Sequence, residues 1–165
     1  MSWPTPQDYQ EAIQSPSLCF SDPDLQRGLP RLDSLGLPKP NSGNFASVYE
    51  ILAPEKRWAV RCFSREFSDQ QERYERISQH LHQARLPYTV DFKFHAEGIK
   101  VKNRWYPVLK MEWVDGTPLI TFIEQNIAHP DVIRDLAHKW IDLIAALRQS
   151  SVAHGDLQHG NIIVA

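Results

Sequence analysis

Residues 152–165 read VAHGDLQHGNIIVA, which sets Asp156 two residues after His154 and Asn161 five after Asp156. A His-x-Asp-x-x-x-x-Asn spacing is a phosphoryl-transfer signature. In that chemistry the carboxylate accepts the proton of an attacking hydroxyl, and the amide oxygen ligates a divalent metal bridging nucleotide phosphates. Both groups must then project from one short loop. Val152 and Ala153 before it, and Ile162 to Val164 after it, are apolar and can pin such a loop at its ends. The alternative for the same residues is a surface turn rich in His, Gly and Asp, so the elements upstream decide between the two.

Three such elements precede it. Val108 to Gly116 (VLKMEWVDG) reads as a buried strand running into a Gly-containing turn; an ordinary core strand is the plainer reading. Trp58 to Phe63 alternates apolar and polar, so Arg61 shares a strand face with Ala59 and Phe63. A cation on an inward face is unfavourable unless an anion meets it, either a carboxylate or a ligand phosphate. Earlier still, Asn41 to Val48 (NSGNFASV) aligns with G-x-G-x-x-G-x-V as N-x-G-x-x-A-x-V. Only the middle glycine, Gly43, is kept. Small residues occupy the third place, Phe45 could cap the tip, and Asn41 tolerates positive φ better than most residues.

Taken in order, these four segments resemble the eukaryotic-type protein kinase superfamily, from about Asn41 to Ala165. The resemblance implies an α+β fold with a five-stranded antiparallel small lobe, one helix and a mostly helical large lobe. It divides the chain into a Pro-rich arm at 1–40 that packs on the small lobe, a small lobe at 41–112, and a hinge with part of a large lobe at 113–165. It also implies ATP and Mg²⁺ as cofactors and a hydroxyl-bearing acceptor, a protein in the first reading. By the same resemblance Asp156 is the catalytic base and Asn161 a metal ligand. Arg61 contacts the nucleotide phosphates, Gly43 belongs to the loop covering them, and Val48 and Ala59 pack on adenine. The Glu112 carbonyl and the Val114 amide meet the adenine edge, with Met111 at the back of the pocket.

A carboxylate to pair with Arg61 is expected on the third element. Ser68 to Gln83 has a capping-box pattern in Ser68 and Gln71, and Tyr74, Ile77 and Leu81 fall on one helical face. Glu75 is the first candidate for the pair and Glu72 the reserve; a solvent-facing role stays open for both.

Three departures from the kinase pattern bear on function. Arg61 stands where the family carries Lys, and a planar guanidinium is not interchangeable with a point charge at a phosphate site. Gln158 stands where Ser/Thr protein kinases carry Lys, and Gly155 where they carry Arg, so the HGDL form is more similar to aminoglycoside and choline phosphotransferases. Without that Arg, an anion receptor for a phosphorylated activation loop is missing. The family's DFG-type Asp falls beyond Ala165, so the expectation is either a fragment that is inactive alone or a nucleotide-binding pseudokinase module.

Composition narrows the remaining classes. With 42% hydrophobic residues in 165, the chain can bury a sizeable core. A net charge of -2, with both signs mixed along the chain, gives no electrostatic reason to expect a nucleic-acid partner. No run of about 18 apolar residues exists to span a membrane, and the N-terminus lacks the order of a secretory signal; a cytoplasmic location is the default. Cys19 and Cys62 form no metal-ligand spacing, and His80 and His82, two apart on a helix, point in different directions. No G-x-S-x-G or HExxH motif supplies a hydrolase nucleophile or metal site. Seven prolines among the first forty residues predict a mostly irregular arm with one short helix over Asp8 to Gln14. Its interspersed leucines and Phe20 predict packing on the small lobe.

Overall fold

The computed structural model describes residues 3–43, 46–65, 69–155, 157 and 161–165, the side chains of residues 42 and 43 excepted. These form two compact units, one comprising residues up to Gln83 with Val90–Trp113, the other Ala84–Thr89 with Val114–Ala165.

In the first unit three short helices, α1 (Pro6–Ile13), α2 (Pro16–Cys19) and α3 (Pro23–Gln26), each begin at a proline. A proline at the first helical position carries no N–H to leave unpaired, and its φ is already helical. Thr5 closes α1 with a capping box to Asp8, and Asp22 caps α3 by accepting from the amides of Asp24 and Leu25. The arm is thus more helical than its proline count predicts.

The main sheet is antiparallel. Its path runs β1 (Leu29–Pro30), β3 (Ala46–Leu52), β4 (Arg57–Phe63), β6 (Arg104–Glu112), β5 (Phe92–Val101), and β2 (Pro40–Gly43) pairs with the other half of the β3 edge. Six strands stand where five were expected, because the arm contributes β1 to that edge. The chain turns between β5 and β6 at Lys102-Asn103. Lys102 and Asn103 take φ of 47° and 64°, the left-handed pair of a tight hairpin. The ladder is irregular between His95 and Ile99, so Phe92–Val101 is one bulged strand.

Strand alternation gives the sheet two distinct faces. On one, Tyr49, Ile51, Val60, Cys62, Ile99, Val101 and Val108 pack with Tyr9, Ile13, Cys19, Phe20 and Leu25 of the arm into a single core. These arm residues are 0–4% exposed, so the arm completes the small unit's interior. On the other face Phe63, Phe92 and Phe94 meet Tyr74 of α4 (Gln70–Ala84); Tyr74 and Phe94 stack at 5.5 Å between centroids. Tyr74 and Leu81 are half-buried as the helical spacing predicts, and Ile77 is at the exposed margin. The capping box expected at Ser68 lies outside the described residues.

The second unit holds β7 (Thr117–Pro118), α5 (Leu119–Asn126), α6 (Pro130–Gln149) and β8 (Ile163–Val164). Ile120, Ile127 and Ile141 of its helical region are exposed. Among the described residues, no helix is long and apolar enough to cross a membrane.

Candidate functional site

The described parts of the four segments singled out in sequence lie on β2 and β3, on β4, at the end of β6, and between α6 and β8. Gly43 ends β2 opposite Ala46, which starts β3, so the two strands of the glycine-containing stretch pair antiparallel. Phe45, the expected cap, lies outside the described residues.

Val48 on β3 is directly opposite Arg61 on β4, and Arg61 is in turn opposite Leu109 on β6. Glu50, Ala59 and Met111 form the next row of the same face. Val48, Ala59 and Arg61 therefore share the face that carries α4, away from the arm. Ala59 is buried, with Met111 opposite it on β6.

Arg61 is half-buried, with its guanidinium 5.8 Å from the centroid of the Phe63 ring. Its Nε is shielded from solvent and has no hydrogen-bond partner. A buried cationic donor without an acceptor is unfavourable by itself, and a phosphate oxygen is one group that would satisfy it. Neither candidate carboxylate does so. Glu75 lies on the exposed side of α4 and accepts from Gln71 at 2.9 Å, while Glu72 pairs with Arg76. Among the described residues Arg61 has no ion pair. The physical reason is rotational: the aromatic contacts of Tyr74 fix which side of α4 faces the sheet, and Glu75, one residue on, is turned about 100° away.

Two polar clusters flank the sheet that the sequence reading did not anticipate. Glu50, 6% exposed, is held by Arg57 at 3.4 Å and Arg31 at 3.7 Å. On the arm face, Lys110 is buried with its ammonium 2.7 Å from Asp22, 2.9 Å from Asp24 and 4.1 Å from the Trp58 ring centroid. His95 Nε2 lies 3.5 Å from Asp22 but without hydrogen-bond geometry. Burial would raise the Asp22 pKa, yet the Lys110 hydrogen bond, the Leu25 amide and the nearby positive charge outweigh it and hold the carboxyl below its usual value. For His95 burial dominates and lowers the pKa, with Asp22 opposing. The lysine inside the otherwise apolar run VLKM was the available signal, since a buried ammonium requires a counter-ion.

At the end of the first unit, the Trp113 amide donates to the Arg57 carbonyl at 3.0 Å, extending the β4–β6 ladder past Glu112. Val114 opens the second unit, and its amide makes no backbone hydrogen bond among the described residues.

In the second unit the loop after α6 is anchored at both ends. Ser151 takes φ of 54°, its amide bonds to the Arg148 carbonyl and that of Val152 to the Leu147 carbonyl at 2.8 Å, the Schellman pattern that stops α6 and turns the chain. Beyond the loop, β8 pairs with β7, Thr117 opposite Val164 and Pro118 opposite Ile163, and the Leu119 amide reaches the Ile162 carbonyl. Gly116 makes that pairing possible, because a Cβ there would lie 2.6 Å from the Val164 carbonyl oxygen. Asn161, immediately before this anchor, is exposed; its amide oxygen is a hard donor of the kind Mg²⁺ takes. Asp156, the expected base, and Gln158 lie outside the described residues.

No curated protein and no solved structure matches the chain at a significant level. The model of the phosphotransferase enzyme family, APH, matches residues 37–162, from just before β2 to just past Asn161. That span covers all four motifs and most of the sequence, and the chain belongs to the phosphotransferase enzyme family.

Proposed function

We propose that this chain binds ATP and serves phosphoryl transfer to a small hydroxyl-bearing acceptor. The observation that carries the reading is the unpartnered, buried Nε of Arg61 on the same sheet face as Val48 and Ala59. In this reading Arg61 receives the nucleotide phosphates and the backbone at Gly43 covers them. Adenine lies against Val48 and Ala59, with its edge on the Glu112 carbonyl and the Val114 amide. Asp156 takes the acceptor's proton, and Asn161 holds Mg²⁺, which neutralises phosphate charge. Catalysis is then chiefly positioning and electrostatic stabilisation. Glu75 has no assigned part, since its carboxylate is engaged with Gln71.

Membership of the phosphotransferase family, together with Gly155 and Gln158 where Ser/Thr protein kinases carry Arg and Lys, favours a small molecule over a protein as acceptor. A second reading, a nucleotide-binding module without chemistry, draws on Arg61 in the lysine position. Calorimetric titration with ATP, with and without Mg²⁺, tests the binding. Single-turnover transfer from ATP to a panel of aminoalcohols and aminoglycosides, by a protein in which a DFG-type Asp is also present and by its Asp156→Asn variant, tests the chemistry. Tight metal-dependent binding and transfer lost in the variant are expected; equal rates in the two chains would remove Asp156 from the mechanism.

A further inference from the structure

The backbone carbonyl of Phe63 is the point where the arm grips the strand that carries Arg61. The pairing of β4 with β6 ends at Cys62 opposite Val108. At the next carbonyl two arm side chains converge: the buried Tyr9 hydroxyl donates to the Phe63 oxygen at 2.8 Å, and the Trp3 indole N–H donates to the same atom. Trp3 is itself fixed edge-on against Tyr106, with centroids 5.2 Å apart. Both donors therefore come from well-held rings.

Phe63 is 2% exposed, and its ring packs on Tyr74 of α4 and Phe94 of β5. It lies two residues from Arg61 on the same strand, so both side chains leave the same face, and the Arg61 guanidinium sits 5.8 Å from its ring centroid. No carboxylate among the described residues orients Arg61, and an arginine carries four flexible torsions. Its geometry then depends on the ring beneath it, and that ring depends on where the Phe63 backbone is held.

We infer that Trp3 and Tyr9 are positioning residues for the nucleotide site: by fixing the Phe63 carbonyl they hold the ring that supports the Arg61 guanidinium at the phosphates. The inference rests on the ATP-binding reading above. Its chemical consequence is selective, since only the part of the nucleotide that meets Arg61 is affected.

Tyr9→Phe removes one oxygen and keeps the ring in the core, and Trp3→Phe keeps an aromatic against Tyr106. The doubly substituted chain is compared with the parent by calorimetric titration with ATP and with adenosine. The dissociation constant for ATP is expected to rise roughly three- to tenfold, the scale of one net hydrogen bond, with that for adenosine unchanged. A merely structural staple would weaken both ligands alike. An unaltered ratio of ATP to adenosine affinity overturns the inference and leaves the ATP-binding reading standing, whereas failure of the parent to bind ATP overturns both. Should the double substitution abolish the native near-UV circular dichroism, Tyr9→Phe alone carries the same comparison, with the same ratio as the deciding quantity.

Discussion

Lys110 holds its ammonium 2.7 Å from Asp22 on the sheet face opposite Arg61. The two cations differ in what surrounds them. Lys110 is enclosed by Asp22, Asp24 and the Trp58 ring, so the chain itself satisfies it. Arg61 has an aromatic ring and no counter-ion among the described residues. One face of the sheet is covered by the arm, and the other carries a cation whose Nε has no hydrogen-bond partner.

Removing the Lys110 ammonium leaves the buried Asp22 carboxylate without its cation. Lys110→Met is expected to lower the unfolding free energy by about 3–5 kcal/mol, measured by urea denaturation. Adding Asp22→Asn to it should restore part of the loss; strictly additive losses would show that the two side chains do not interact.

Acid should weaken the same cluster in two steps. His95 has a folded pKa below its ordinary 6.5, through burial and the Lys93 and Lys110 charges, against Asp22. The unfolded chain therefore binds that proton first, and stability present above about pH 6.5 is lost as pH falls towards the folded value. The Asp22 and Asp24 carboxyls lie below their ordinary 3.8 in the folded state, so their contribution is present above that pH and is lost as pH falls through their folded values. Urea midpoints from pH 8 to pH 3 should show both declines, with the upper one reduced in His95→Gln. A variant that tracks the parent through the upper window would remove His95 from the effect.

Substituting Arg61 should separate binding from stability. Arg61→Met is expected to weaken ATP binding by roughly ten- to a hundredfold, the scale of a lost charge-assisted bond, yet to raise the melting temperature, because the unsatisfied Nε disappears. Arg61→Lys should keep or improve ATP affinity. A large loss in the lysine variant would show a contact that only guanidinium makes. Paired titration and thermal-denaturation measurements give both answers.

Gly116 sets the anchor of the loop that ends at Asn161. Gly116→Ala should disturb the β7–β8 pairing, since its Cβ would meet the Val164 carbonyl oxygen. A loss of about 1–3 kcal/mol is expected, the usual scale for forced overpacking, together with faster amide exchange at Leu119, whose N–H bonds to Ile162. Unchanged exchange at Leu119 would show that the pairing tolerates the methyl group.

Legible from the residues alone were the order of the motifs, the strand bearing Ala59 and Arg61, the helix bearing Tyr74, and the hydrophobic flanks of the Asn161 segment. These are periodicities and short spacings, and a chain's local chemistry fixes them. Which residues meet depends on packing between distant segments. Glu75 faces away from Arg61 because packing of Tyr74 sets the rotation of α4, a matter of one residue in a helical turn. Lys110 became an internal counter-ion because Asp22 and Asp24, more than eighty residues earlier, fold back onto its strand. The arm, irregular to a reading of its prolines, supplies much of the core because its apolar side chains have a bare sheet face to cover.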